Sequence, residues 1–296
     1  MNGIVIKTTG KYYTVKTDTN EIVQCGLKGK FRIAGIKSTN PIVVGDKVEL
    51  EQQSELWMIV KLHERKNHIL RKSVNLSKQT HIIGANIDQA ILMITLDSPM
   101  TTTGFIDRFL VAANAYGITV LLLFNKIDLL KDKLKLEQEN LQKVYEKIGY
   151  KCFALSVIND DLSLVKALMK NKVNMVSGHS GVGKSTLINK LQPNLNINTK
   201  EISDTHKQGQ HTTTFSELHE LDFGASIIDT PGIRGFGLVE LQPSEIGNYF
   251  PEFFALKTAC KFHNCIHKNE PNCAVKIDLE KGEIAESRYK NYLNML

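Results

Sequence analysis

The chain has 296 residues, 42% of them hydrophobic, five cysteines and a formal net charge of +6, enough for a large core divided over two or three domains. No apolar run approaches the roughly 18 residues of a membrane span, the N-terminus lacks a basic-then-apolar leader, and the cysteines are too few for a disulfide scaffold, so a cytoplasmic protein is expected. The charge excess sits wholly in residues 1–72, where 13 Lys/Arg face 7 Asp/Glu, while residues 73–296 hold 24 of each sign.

A localised basic surface points to a polyanionic partner, with scattered solubilising lysines as the alternative. Residues 1–66 read as short strands at 3–7, 11–16, 21–25, 30–34, 46–51 and 56–61, rich in Val, Ile, Tyr and Phe and broken by Gly10, Asp18-Thr19-Asn20, Gly29, Pro41 and Gly45. Strands this short and this dense suggest a small closed barrel, either an OB-fold or an SH3-like one. Lys28, Lys30, Arg32 and Lys37 cluster at one predicted hairpin, and Lys61, His63, Arg65, Lys66, His68, Arg71 and Lys72 crowd the exit. Such clusters suit phosphate contacts that position a nucleic acid without reading its sequence.

From Asn86 onward, strands and helices alternate. Strands are predicted at 89–96, 118–124, 152–155, 173–176, 215–221 and 225–228, and helices at 105–116, 134–148, 162–169 and 186–191, an α/β doubly wound pattern. Asn125-Lys126-Ile127-Asp128 follows the buried strand 118–124, at the strand end where such sheets bind ligands. N-K-x-D suits guanine: the Asp128 carboxylate can accept from both N1–H and the 2-amine, whereas adenine offers an acceptor at N1 and no 2-amine. Lys126 would lie along the base, Asn125 would tie this loop to the phosphate loop, and Ser156-Val157 could offer a backbone N–H to the guanine O6.

Gly178-His179-Ser180-Gly181-Val182-Gly183-Lys184-Ser185-Thr186 fits G-x-x-x-x-G-K-[ST] between a strand and a helix. Its N–H groups can converge on phosphates at the helix N-terminus, Lys184 can reach the β- and γ-phosphates, and Ser185 can hold Mg²⁺. Asp229-Thr230-Pro231-Gly232 ends the strand 225–228; Asp229 can hold Mg²⁺ through water, and the Gly232 N–H can meet the γ-phosphate. Before it, Gly209-Gln210-His211-Thr212-Thr213-Thr214 closes a polar segment, 192–210, of the kind switch loops have, and one of Thr212, Thr213 and Thr214, with Thr213 taken as the site residue, is a candidate to close on Mg²⁺. Ile233 stands where Ras-like enzymes orient water with glutamine, so unaided hydrolysis should be slow. His211 could orient that water or take its proton, or it could simply pack the switch.

The last segment, from about residue 245, carries Cys260-x4-Cys265-x-His267-x5-Cys273, with His263 close by. Three thiolates and an imidazole make a closed structural zinc set, unless these are buried free cysteines beside a bystander histidine. Ala285, Tyr289, Tyr292, Leu293 and Leu296 fall on one face of a terminal helix.

Motif order is unusual. Ordinary GTPases run phosphate loop, switch threonine, D-x-x-G, N-K-x-D; here N-K-x-D comes first, so the sheet is circularly permuted. The combination of basic barrel, N-K-x-D, G-H-S-G-V-G-K-S, H-T-T-T, D-T-P-G and a Cys/His cluster resembles the ribosome small-subunit-dependent GTPase A (RsgA) family over essentially the whole chain. The resemblance implies a permuted P-loop GTPase domain (73–244) between an N-terminal OB-fold barrel that binds RNA (1–72) and a small, mainly helical zinc domain (245–296). It selects His267 over His263 as the zinc ligand and favours His211 as a catalytic group beside Lys184. It further implies GTP/GDP, Mg²⁺ and one structural Zn²⁺ as cofactors, a monomer, and the 30S ribosomal subunit with its 16S rRNA as partner, late in assembly and stimulating hydrolysis. The rival readings are a nucleotide-gated RNA-binding protein using GTP as a latch, and a permuted GTPase of the large subunit.

Overall fold

The computed structural model describes residues 1–9, 12–28, 41–53, 56–72, 80–195, 216–229 and 241–296. The predicted strand 30–34, the cations Lys30, Arg32 and Lys37, and His211, Thr213 and Gly232 lie outside the described residues.

The first five strands are β1 (Asn2–Thr8), β2 (Tyr13–Thr17), β3 (Ile22–Leu27), β4 (Lys47–Gln53) and β5 (Leu56–Leu62). Alternation decides which way they face: Val5, Tyr13, Val15, Cys25, Val48, Leu50 and Ile59 are buried in one cluster, and the residues between them look outward. The ring closes as β1–β2–β3–β5–β4–β1, with β3 parallel to β5 and β4 returning antiparallel to β1. This five-stranded Greek-key closure is OB-like, which decides between the two barrels that the strand pattern allowed.

At the exit of the barrel the structure corrects one expectation. Arg65 is not a surface cation for phosphate: its side chain is 7% exposed and donates through Nε to Asp46 Oδ1 (2.6 Å) and through Nη2 to Asp46 Oδ2 (2.7 Å) and the Pro41 carbonyl (2.9 Å). It seals the chain's departure from the barrel instead. Next comes a hairpin that the sequence pattern did not announce, β6 (His68–Lys72) paired with β7 (Thr80–Ala85).

The second unit contains β8 (Gln89–Ile94), α1 (Thr103–Ala115), β9 (Thr119–Asn125), α2 (Asp132–Lys147), β10 (Lys151–Leu155), α3 (Ser163–Met169), β11 (Val173–Ser177), α4 (Lys184–Leu191), β12 (Glu217–Leu221) and β13 (Ala225–Asp229). Strand order is β10–β9–β8–β11–β13–β12, parallel except for β12. All six residues of β8 are buried, as expected of a strand covered on both faces. Ile106, Phe109, Leu110 and Tyr145 from α1 and α2 cover one face, and Val165, Met169, Leu187, Ile188 and Leu191 from α3 and α4 cover the other. Because β8, β9, β10, β11 and β13 run parallel, Asn125, Ser156, Gly178 and Asp229 all follow carboxyl ends on one edge of the sheet.

Antiparallel β12 also meets the barrel. Lys7 of β1 pairs with Glu217 of β12, so barrel and central sheet form one continuous hydrogen-bonded surface of 11 strands among the described residues. Ion pairs Lys7–Glu217 (2.9 Å) and Lys16–Glu220 (2.5 Å) flank the junction, both solvent-exposed and therefore weak on their own.

The last segment adds α5 (Pro243–Ile246), α6 (Pro251–Leu256), α7 (Ala274–Glu280) and α8 (Glu286–Leu293). Ile246, Phe250, Phe253, Val275, Ile284 and Tyr292 form a core that reaches Val111 on α1, with Tyr289, Leu293 and Leu296 packed against it. The predicted apolar face of the terminal helix is therefore core packing. No described helix is long and apolar enough to cross a membrane.

Candidate nucleotide site and metal centre

The loop Gly178–Gly183 connects β11 to α4, and its shape depends on glycine, most tightly at two positions. Gly178 (φ +143°) and Gly183 (φ +103°) have backbones that side-chain-bearing residues rarely adopt. A Cβ at Gly178 would lie 2.6 Å from the Met93 carbonyl oxygen, and one at Gly183 would lie 2.5 Å from Asn125 Nδ2. Helix α4 begins at the rim of the loop with first-turn N–H groups that no helical carbonyl satisfies. Lys184 is held across the loop, its Nζ donating to the carbonyls of Gly178 (2.8 Å) and His179 (2.6 Å).

His179 packs on α1. Its ring centroid lies 4.0 Å from that of Phe105 on α1, and burial, with the Lys184 ammonium, holds its pKa below the usual imidazole value. A neutral packing histidine is the result. Ser180 and Thr186 are exposed, whereas Val182 is fully buried and anchors the loop from beneath.

Asn125, at the end of β9, is buried and joins three loops. Its Nδ2 donates to the Val182 carbonyl (2.8 Å) and its Oδ1 accepts from Val157 N (2.9 Å), so the phosphate loop, the N-K-x-D loop and the Ser156-Val157 turn are positioned as one unit. Lys126 takes a left-handed backbone (φ 63°) and donates to the Ser98 carbonyl at 2.6 Å. Asp128 is exposed, and its Oδ2 accepts from Asn159 Nδ2 at 3.1 Å. Ser156 and Val157 are buried beside it. The backbone of Asp229 closes β13, adjacent to the strand that enters the phosphate loop.

A second cluster lies in the C-terminal segment. The donor atoms of Cys260, Cys265, His267 and Cys273 all fall within 4.8 Å of one another. His267 Nδ1 stands 3.6, 3.5 and 3.3 Å from the sulfurs of Cys260, Cys265 and Cys273. Tetrahedral zinc, with Zn–S about 2.3 Å and Zn–N about 2.0–2.1 Å, requires S···N edges of about 3.6 Å, so the donor set fits that ion. Without metal, burial pushes the Cys265 thiol up to about 12 and lowers the His267 pKa; the imidazole is ready to ligate, but binding must release thiol protons. The backbone around these ligands is held as well. Tyr289 Oη donates to the His267 carbonyl (2.7 Å), Tyr292 Oη donates to that of Ile266, and the Glu270 carboxylate accepts from Ile266 N (2.7 Å), Lys268 N (2.8 Å) and Asn269 N (3.0 Å). His263 is exposed and outside the group.

Two family models match in succession along the chain: RsgA N-terminal domain over residues 2–56 and RsgA GTPase over residues 62–239. A protein of Flavobacterium johnsoniae named small ribosomal subunit biogenesis GTPase RsgA is 58% identical, aligned over 100% of this chain and 93% of its own length. The chain belongs to the RsgA GTPase family. It is accordingly a GTP-hydrolysing enzyme on a circularly permuted GTPase fold. A relative of the same name in Bacteroides fragilis is 48% identical over 100% of this chain and 96% of its own. Among solved structures, YjeQ from Thermotoga maritima matches with a TM-score of 0.80 at 34% identity, covering 99% of this chain and 96% of that one. YloQ, described as a circularly permuted GTPase, matches with a TM-score of 0.77 at 28% identity over 99% and 92%.

Within this RsgA-family chain, the N-K-x-D loop, the Ser156-Val157 turn, the phosphate loop and the backbone of Asp229 lie at one edge of the sheet, the H-T-T-T motif and Gly232 lie outside the described residues, and the Cys/His quartet comes together in the C-terminal segment. Three contributors carry no motif: Asn159 beside Asp128, Lys190 behind the Ser156 turn, and Phe105 under His179. Each lies far in sequence from the atom it touches, which is why local pattern did not single it out.

Proposed function

We propose that this chain binds the small (30S) ribosomal subunit through its 16S rRNA, assists late maturation of that subunit, and hydrolyses GTP to GDP and phosphate under its stimulation. The single observation that carries this reading is the full-length identity of 58% to a relative named for small ribosomal subunit biogenesis. The basic excess of residues 1–72 and the OB-like barrel support a nucleic-acid face at that end, and the same names weigh against a large-subunit target. We divide the chain at 1–72, 73–244 and 245–296 and place it in the cytoplasm as a monomer.

In this reading Asp128 accepts the guanine N1–H and 2-amine, Lys126 covers the base, Asn125 keeps the base loop on the phosphate loop, and Ser156-Val157 meets O6. Backbone from Gly178 through Thr186, including His179, Ser180, Gly181 and Val182, wraps the phosphates, and Gly183 gives them room. Lys184 stabilises the charge that develops on the transferred phosphoryl group. Ser185 and Thr213 would hold Mg²⁺, with Asp229 behind it through water; when bound, the ion neutralises β- and γ-phosphate oxygens. Gly232 would sense the γ-phosphate, and His211 would orient the attacking water in place of the missing glutamine.

Affinity for isolated 30S subunits measured with GDP and with a non-hydrolysable GTP analogue tests the switch. Tighter binding in the GTP state is expected, and by linkage the subunit must tighten the analogue relative to GDP by the same factor. Equal affinities would end the switch model. His211→Ala should lose about 10²-fold or more of the 30S-stimulated turnover; full stimulation of that variant would remove histidine from the mechanism.

For the metal, Cys260, Cys265, His267 and Cys273 are proposed to hold one structural zinc. Elemental analysis of protein purified without chelator should find one zinc per chain. Cys265→Ala should lose it and make the C-terminal segment protease-sensitive, while GDP affinity shifts by less than about twofold because the sites are separate. Zinc-free protein with an intact, protease-resistant C-terminal segment would contradict the assignment.

A further inference from the structure

The carboxylate of Asp128 is exposed, yet it is not left to rotate freely: Asn159 Nδ2 donates to its Oδ2 at 3.1 Å. Asn159 is itself held. Its backbone N–H meets the Ser156 carbonyl (3.1 Å) and Oγ (3.3 Å), while the Asp160 carboxylate accepts from Ser156 N at 2.7 Å, closing the turn 156–160 on itself. From behind, Lys190 on α4 donates to the carbonyls of Ile158 (2.8 Å) and Asp160 (3.0 Å). The turn is thus pinned to the phosphate-loop helix on one side and hands a single amide N–H to the carboxylate on the other.

We infer that Asn159 is a positioning residue for base recognition, fixing the Asp128 carboxylate so that both its oxygens face the guanine edge. The inference rests on Asp128 being the base-reading group. Two parallel hydrogen bonds from N1–H and the 2-amine require the carboxylate to lie nearly in the plane of the base, and rotation about its terminal torsion spoils one of them. Each carboxylate oxygen offers two lone pairs, so Oδ2 can keep Asn159 and still accept from the base. The Asn159 contact is to an ionised acceptor, which strengthens it, although its exposure limits the gain. A turn residue that only shapes the 156–160 loop would affect all nucleotides alike; a residue that aligns the carboxylate affects most the ligand that needs both oxygens.

Inosine diphosphate separates these cases because it keeps N1–H and lacks the 2-amine. Dissociation constants for GDP, IDP and ADP are to be measured on the full chain for wild type, Asn159→Ala, Asp128→Ala and the double variant. Asn159→Ala is expected to weaken GDP about three- to tenfold and IDP by less, so that the GDP/IDP preference shrinks. In the Asp128→Ala background the same change at Asn159 should have no further effect on GDP, giving a coupling energy that accounts for the single-variant loss. Equal weakening of GDP and IDP by Asn159→Ala, or an undiminished effect in the Asp128→Ala background, would overturn the positioning role while leaving Asp128 as the base reader. If Asp128→Ala keeps the wild-type preference for GDP over ADP, the base-reading assignment fails and the inference falls with it.

Discussion

Arg288→Ala is expected to destabilise the protein by about 3–5 kcal/mol, the usual consequence of leaving a buried charge without its partner. Arg288 is 1% exposed, the largest fully buried side chain among the described residues. Its Nη1 donates to Asp107 Oδ1 on α1 (2.6 Å), and its Nε and Nη2 donate to Glu252 on α6 (2.7 and 3.1 Å), with the guanidinium carbon 4.4 Å from the Phe250 ring centroid. Burial opposes the charge, but the two carboxylates outweigh it and raise the Arg288 pKa further above its ordinary value. Asp107 is fully buried and also accepts from Tyr145 Oη (2.7 Å) and Asn291 Nδ2 (2.6 Å). Removing the guanidinium leaves that carboxylate with neutral donors only, inside a core that joins α1 to α8. Urea midpoints should fall with little change in slope, and limited proteolysis should cut first between residues 241 and 296. The triple variant Asp107→Asn/Glu252→Gln/Arg288→Met should recover much of the loss, because replacing all three charges leaves no uncompensated ion. A single variant as stable as wild type would show that the network contributes nothing.

Asp128→Asn should exchange base specificity. The amide offers a donor where guanine presents its 2-amine, so GDP binding should fall by more than about 10²-fold, a loss typical of a polar contact turned into a mismatch. Xanthine carries an oxygen at that position, and XDP should gain affinity in the variant. Asn125 holds the surrounding loops through Val182 and Val157, not through Asp128, so the site around the new amide should remain formed. Competition of XDP and GDP against a labelled nucleotide reads the exchange directly. Wild-type protein that hydrolyses ATP as readily as GTP would show that Asp128 does not select the base.

Features whose physics is local were legible in consecutive residues. A phosphate loop is a run of backbone torsions and donors within nine residues, so Gly178 to Thr186 could be recognised and its strand and helix placed around it. The alternation of β2 and the continuous apolar run of β8 reflect burial on one face and on two, and both are written in consecutive residues. Motif order revealed the permutation, because order is a property of the chain and not of its folding. The buried face of the terminal helix was legible for the same reason, with Tyr292 inside as its spacing required.

Features that depend on partners distant in the chain became visible only in the folded chain. The barrel's closure turns on β3 pairing with β5 and β4 with β1, and strand composition does not encode its partner. Sheet continuity through Lys7 and Glu217 joins residues about two hundred positions apart and has no local signature. Charge sign is likewise readable in sequence while its environment is not. Arg65 and Arg288 look like surface cations until Asp46, Asp107 and Glu252 are brought to them, and a cation with a buried carboxylate at hydrogen-bond distance stabilises packing rather than reaching for phosphate. Cys260, Cys265, His267 and Cys273 were a spacing in the sequence; convergence of their donor atoms to within 4.8 Å, backed by Tyr289 and Tyr292 from a helix further along the chain, is what makes them a candidate metal site.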